Sequence, residues 1–358
     1  MKHLVIRNLG PLKEADIELK RINVIIGSQS SGKSCVLKTA CYCTWVEKRI
    51  ELTQTADFFA KDNNFLNELE RFHKLKGYIR DETFISYESD FMSFSYDNAT
   101  KSFSFNWKEG RWDYRRSKVT YIPAERNLVA AIPNWFQVKF ADDNIRDFMA
   151  DWETARQATT NDLSVLNLGI SYRYDANTKS DKVQVADGVT LDFTNTSSGL
   201  QSLIPLYVHL QFLQFLLFGN VNTESVKERQ ENEILWRKIQ ENIDNEKEAM
   251  DIFSHYSIPH CCDIFLEEPE ANLFPPTQSR LVEWLLDMTK EELPSNLFIA
   301  THSPYILNVF MEKQDIDMTL LYTRTSDGLI TVKTAKDQDF QDIYDYGVDA
   351  FFNIETLG

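Results

Sequence analysis

The stretch GSQSSGKS, Gly27 to Ser34, constrains this chain more than any other. It matches the pattern G-x-x-x-x-G-K-[ST] at every fixed position. The apolar run Val24-Ile25-Ile26 precedes it, and a helix-forming stretch from Cys35 to about Thr53 follows. That is the strand–loop–helix setting the pattern requires. Gly27 and Gly32 let the backbone turn tightly, so that successive N–H groups, those of Ser28, Gln29, Ser30 and Ser31 included, face phosphate oxygens. The positive end of the following helix stands behind them. Lys33 reaches the β- and γ-phosphates, and the Ser34 hydroxyl takes a place on Mg²⁺.

Three further stretches fit the same chemistry. In DIFLEEPEANLFP, Asp263 to Pro275, the strand Ile264-Phe265-Leu266 ends in two carboxylates, Glu267 and Glu268. In nucleoside triphosphatases one such acid orients Mg²⁺ and the next polarises the attacking water. In FIATHSPYIL, Phe298 to Leu307, His302 leaves another strand. A lone histidine is more often structural, but this one follows the acidic pair by a helix-length spacer (Thr277 to Met288) and one strand. It is therefore expected at the same sheet edge. In TNTSSGLQS, Thr194 to Ser202, the loop Ser197-Ser198-Gly199 opens a helix and offers N–H groups and hydroxyls to an anion. Alone it reads equally as an ordinary helix cap.

Between these motifs the patterns alternate. Residues 3–9 and 16–26 read as strands around Pro11, and 62–78 as a charged helix. FISYES, FMSFSYD, SFSFNW and KVTYIP read as an antiparallel meander split by turn signals. Residues 144–167 read as largely helical and 171–193 as a hairpin. The most apolar segment, Ile204 to Phe218, is shorter than the roughly 20 residues a bilayer needs and reads as a buried helix. Glu224 to Met250 is dense in charge, with Ile234, Leu235, Ile239 and Ile243 at helical spacing, and reads as an exposed helix or hairpin insertion and a partner surface. A hairpin turning at Asp327-Gly328 and a short helix close the chain. The net charge of -16 argues against a surface that embraces nucleic acid. Arg111, Arg115, Arg116 and Lys118 form the one short basic cluster beside aromatics. Five cysteines in apolar stretches read as reduced thiols of a cytoplasmic protein. His255, His260, Cys261 and Cys262 lack the C-x-x-C spacing of a zinc site. The N-terminus is too short and polar for a signal peptide.

In order, then, the chain carries a phosphate loop, a Ser-Ser-Gly loop, an acidic pair followed by PEANLFP, and Thr301-His302-Ser303. This order resembles the ABC-type ATPase heads of the RecF, SMC and OLD families. It is most similar to compact bacterial AAA-like ATPases of anti-phage defence and toxin–antitoxin loci. The resemblance implies an α/β fold: an ABC-ATPase-like head with a mixed or parallel nucleotide-binding sheet, an antiparallel β-rich lobe and a helical lobe. It implies one ATPase domain over 1–358, with a β-rich and helical insertion at 83–193, a signature helix and charged insertion at 194–250, and the acidic strand to the C-terminal lobe at 251–358. The cofactors implied are ATP and Mg²⁺. Residues 27–34 would bind phosphate, with Ser34 and Glu267 on the metal, Glu268 as general base and His302 as γ-phosphate sensor. Residues 270–273 would cross a dimer interface, and Ser197, Ser198 and Gly199 would touch the nucleotide of the opposite subunit. The partners implied are a second copy in a homodimer or higher oligomer and an effector protein, a nuclease or toxin, with no membrane. DNA, bound directly as in RecF-like repair, is the alternative. About fifty residues follow His302, too few for the Toprim nuclease of OLD proteins. Glu267 stands where the family usually has Asp, which implies altered metal geometry and slower turnover. No Q-loop glutamine is evident; Arg126 or Glu125 in YIPAERN is the candidate for related work.

Overall fold

The structure, a computed structural model, describes residues 2–217, 226–290, 295–313, 317–326, 328–336 and 338–339. Strand β1 (Lys2–Leu9) turns at Gly10-Pro11 into antiparallel β2 (Leu12–Leu19), and β3 (Ile22–Ile26) follows. The single strand expected over 16–26 is thus two. Asn23 makes the corner: its side chain accepts from the Lys20 N–H at 2.9 Å and donates to the Lys20 carbonyl at 2.7 Å. A short polar side chain here does what a glycine or proline does in an ordinary turn.

Helices α1 (Lys33–Thr53), α2 (Asp57–Ala60) and α3 (Asn64–Phe72) come next. The helix expected over 62–78 stops at Phe72, and the backbone passes through positive φ at Lys74 and Gly77. Strands β4 (Ile79–Glu88), β5 (Met92–Asp97) and β6 (Ser102–Trp107) form the expected meander. The fourth expected member, β7 (Ser117–Ile122), does not join them. It lies at the far edge of the same sheet and pairs in parallel.

Short α4 (Leu128–Ala131) and α5 (Asn144–Ala158) lead into a separate antiparallel sheet. Its strands are β8 (Leu163–Ser164), β9 (Ser171–Asp175), β10 (Ser180–Ala186) and β11 (Val189–Asp192). The helix expected over 144–167 therefore ends at Ala158. Helix α6 (Ser198–Leu217) is apolar and long enough to cross a membrane by length and composition, and 67% of its most apolar window is buried among protein side chains. Helices α7 (Val226–Asn242) and α8 (Glu246–Ser257) form a helical hairpin. Then come β12 (Cys261–Glu267), α9 (Pro275–Asp287), β13 (Ser295–Thr301), α10 (Pro304–Glu312), β14 (Met318–Ser326) and β15 (Leu329–Thr334). The short helix expected after them, and Asp327 of the turn, lie outside the described residues.

The fold is α/β, with a mixed sheet of eleven strands in the order β6-β5-β4-β1-β2-β15-β14-β3-β13-β12-β7. Strands β7, β12, β13, β3 and β14 run parallel, so their carboxyl ends share one edge. Alternation along each strand feeds two cores. Val24, Ile26, Ile264, Leu266, Leu297 and Ile299 face α5, α6, α9 and α10. Ile25, Phe265, Phe298 and Leu321 face α1, together with β1, β2 and the meander. Helix α1 is buried on every side, as a helix wrapped by its own sheet must be.

One face of α7 is not the solvated surface that its charge suggests, whereas α8 is largely exposed, with Ala249 its one buried residue. Lys48 on α1 pairs with Glu231 on α7 at 2.6 Å, and Arg116 joins the same carboxylate at 2.8 Å. Lys118 pairs with Asp151 at 3.2 Å and Glu228 at 3.1 Å. All these side chains are buried. Burial alone would raise the Glu231 carboxyl, but Lys48 and Arg116 hold it down at about 2. Removing one member of such a pair leaves an uncompensated buried charge, at a cost of about 3–5 kcal/mol. Half of the basic cluster singled out in the sequence is thus interior and already paired. Arg111, at the surface, stacks on Trp107 and Trp112.

Candidate functional site

The phosphate loop leaves β3 at Ile26 and enters α1 at Lys33. Gly27 is required by space. A Cβ there would overlap the Thr323 hydroxyl and lie 2.7 Å from Ser31 Oγ. The Thr323 hydroxyl donates to Ser31 Oγ at 2.7 Å, so β14 braces the loop from behind. Gly32 is required by conformation: it caps α1 with φ +81°, a left-handed state that glycine adopts without strain. Ser28, Gln29, Ser30 and Ser34 are exposed, while Ser31 and Lys33 are buried.

The Lys33 ammonium donates to the carbonyls of Gly27 at 3.0 Å and Ser28 at 2.7 Å, and to His302 Nδ1 at 3.3 Å. Burial lowers its pKa to about 8, against the opposing pull of Glu268 and Glu270.

Glu267 ends β12 with its side chain buried, and Glu268 begins the turn beyond it. Glu268 has φ +41°, unusual for a non-glycine residue. Its N–H donates to the Ala300 carbonyl at 2.8 Å. The carboxylate comes within 3.5 Å of His302 Nε2. With Lys33 donating to Nδ1, the imidazole proton sits on Nε2 and faces Glu268. That hydrogen bond, with the charge of Lys33, holds the Glu268 carboxyl below its usual range although burial opposes it. His302 therefore links Lys33 to Glu268.

Behind the acids lies Arg126, 1% exposed. Its guanidinium donates to the carbonyls of Pro123, Ser202, Glu267, Glu268 and Pro269 at 2.9–3.3 Å. Arg126 ties the end of β12 to α6 and faces carbonyls rather than the open edge; Glu125 is exposed. The sequence singled out both, but nothing in it marked this clamp.

The Ser-Ser-Gly loop sits apart from the phosphate loop. Ser197 and Ser198 are exposed. A Cβ on Gly199 would lie 3.0 Å from the Asn272 carbonyl, and the Asn272 amide donates to Ser202 Oγ at 2.8 Å. Among the described residues no hydrogen bond joins 197–199 to 27–34. The structure therefore gathers Lys33, Glu268 and His302 at one sheet edge, with Glu267 buried behind. It sets Ser197, Ser198 and Gly199 against residues 270–273 instead.

A cavity of about 900 Å³ opens elsewhere, between α1, α3, α5 and α7. Tyr121, whose hydroxyl is pushed up by burial and then by the neighbouring Glu267, is one of its wall residues. No residue of the phosphate loop lines it.

No family model matches the chain, and no curated protein matches it. Solved structures similar to it in outline include an SMC head domain from Thermotoga maritima, with 10% identity over 93% of this chain and 98% of that one, TM-score 0.44. An Smc head bound to the C-winged helix domain of ScpA has 12% identity over 95% and 99%, TM-score 0.45. An Smc head with an extended coiled coil, bound to the C-terminal domain of ScpA and derived from Pyrococcus furiosus, has 10% identity over 96% and 99%, TM-score 0.45. At such low identity and superposition the likeness assigns no family and no activity.

Proposed function

We propose that the chain is an ATP-binding and hydrolysing switch of the ABC head type. The observation that carries this reading is the meeting of Lys33, His302 and Glu268 at the carboxyl ends of the parallel strands β3, β13 and β12. Lys33 leaves the Gly27 and Ser28 carbonyls for the β- and γ-phosphates, which also take the N–H groups of residues 27–34. Glu268, ionised at neutral pH, accepts the proton of the water that attacks the γ-phosphorus, and ADP leaves as the P–O bond breaks. His302, standing between base and lysine, senses the γ-phosphate.

The donor set suits Mg²⁺. Ser34 offers an exposed hydroxyl, and Glu267 a buried carboxylate that no lysine or arginine pairs with among the described residues. Mg²⁺ held there would neutralise charge on the phosphates.

The site is incomplete within one chain. Ser197 and Ser198 at the start of α6 are exposed, and Phe274, next in the chain to Leu273, is 74% exposed. Two chains closing head-to-tail would set each Ser-Ser-Gly loop on the other's nucleotide, giving two equivalent sites. ATP hydrolysis would then open the pair and release a bound effector, a nuclease or toxin in a cytoplasmic defence module. A mixing experiment tests the shared site. Lys33→Ala and Ser198→Arg chains, each inactive alone, are expected to recover part of the ATPase activity together. Silence in a mixture proven to contain mixed dimers would return the loop to a plain helix cap.

The RecF-like alternative needs a basic surface. Net charge is -16, and Arg116 and Lys118 are buried in ion pairs. Steeply salt-dependent DNA retention that requires ATP would favour it; little retention at physiological salt, with or without ATP, is the expected result.

A further inference from the structure

We infer that Glu270 is the positioning residue for His302, and that it makes the switch histidine answer to the loop facing the second chain. The inference rests on the ATPase reading above and deepens it, because it concerns regulation of that same site.

Both oxygens of the Glu270 carboxylate hold the exit of β13. Oε1 accepts the His302 N–H at 2.6 Å, and Oε2 accepts the Thr301 hydroxyl at 2.9 Å. Hydrogen bonds to an ionised carboxylate are roughly twice as strong as neutral ones. The rest of the exit is held by neutral groups. Thr301 Oγ1 accepts the Ser303 N–H at 3.0 Å, and the Ser303 hydroxyl donates to Gln278 at 2.5 Å and caps α10. Glu270 is therefore the ionic grip on a segment whose ring stands 3.3 Å from Lys33 and 3.5 Å from Glu268.

The same short loop reaches the Ser-Ser-Gly element. It begins at Glu268, and the Ala271 N–H closes back on the Glu268 carbonyl at 3.0 Å. Asn272, with φ +61°, sets its carbonyl where it leaves little room for a Cβ on Gly199 and gives its amide to Ser202. The base lies at one end of the loop, the grip on His302 in the middle, and the contact with α6 at the other end. A second chain pressing on Asn272 or Phe274 moves Glu270, and the backbone of His302 moves with it. The distances within the Lys33–His302–Glu268 link are near the limit for hydrogen bonds, so a small displacement breaks it. ATP turnover at one site is thereby conditional on how the partner seats this loop.

The test is a double-mutant cycle on the full chain, read by calorimetry for ATP affinity and by steady-state kinetics for kcat. Glu270→Ala is expected to bind ATP within about 3-fold of the parent. Its kcat is expected to fall about 10–100-fold, the range typical of groups that orient a functional ligand. Glu270→Gln, which keeps one acceptor, is expected to recover part of that loss. The variant carrying Glu270→Ala with His302→Ala is expected to be no slower than His302→Ala alone. Losses that multiply in the double variant, or a folded Glu270→Ala chain with parental kcat, overturn the inference and leave the ATPase reading intact. A parent chain without ATPase activity overturns both. Should the alanine variant fail to fold, Glu270→Gln with and without His302→Ala carries the same comparison.

Discussion

Replacing Lys33 by alanine is expected to abolish ATP binding at micromolar concentrations. The ammonium is the cation that the loop encloses, and in the absence of phosphate it is satisfied by the Gly27 and Ser28 carbonyls of the loop itself. Its removal deletes two hydrogen bonds from a charged donor to the β- and γ-phosphates. At about 1.5–3 kcal/mol each, these amount to roughly 10²–10⁴-fold in Kd. The fold should tolerate the change. Burial already works against the charge of Lys33, whose pKa is lowered to about 8. Calorimetric titration with ATP decides the matter: affinity equal to the parent's in a folded variant would remove the phosphate-loop assignment.

Glu268→Gln is expected to behave in the opposite way, binding ATP and scarcely turning it over. The amide keeps the shape and the contact with His302 but cannot accept a proton, and loss of a positioned base costs about 10²–10⁴-fold in rate. The backbone conformation at this residue, φ +41°, suits glutamine as well as glutamate, so the comparison isolates the chemistry. Single-turnover hydrolysis measured beside Glu267→Gln gives the assignment its direction. Should Glu267→Gln stop turnover while Glu268→Gln leaves it intact, the roles of the two acids are reversed.

Lys33, Glu268 and His302 were legible in the sequence because each sits in a short local pattern at the end of an apolar run. Their supports were not, because the partners are remote in the chain. Thr323 braces Ser31 from 292 residues away, and Arg126 reaches carbonyls 76 to 143 residues on. Glu270 looked like part of a loop, and only the structure shows its carboxylate on Thr301 and His302. The fold shows the same division. The meander β4-β5-β6 announced itself by alternation between close neighbours. KVTYIP alternates in the same way, yet it pairs in parallel with β12, and burial on both faces, which marks a parallel strand, is invisible one residue at a time. The charge of α7 suggested solvent, and its buried carboxylates became intelligible only beside Lys48, Arg116 and Lys118.

The position of β3 in the large sheet has a consequence for how the protein is made. Its neighbours are β13 and β14, and Ile26 pairs with Thr301 and Tyr322. Both partners leave the ribosome about 280 residues after the loop they support, which at ordinary elongation rates is on the order of tens of seconds. Through that interval the nascent chain carries the whole of GSQSSGKS without the strands that shape it. Pairings of such long range close late and slowly, and an apolar strand awaiting its partners is the kind of segment chaperones bind. A polypeptide whose synthesis stops before β13 thus contains every residue of the phosphate loop and neither of the strands that flank β3.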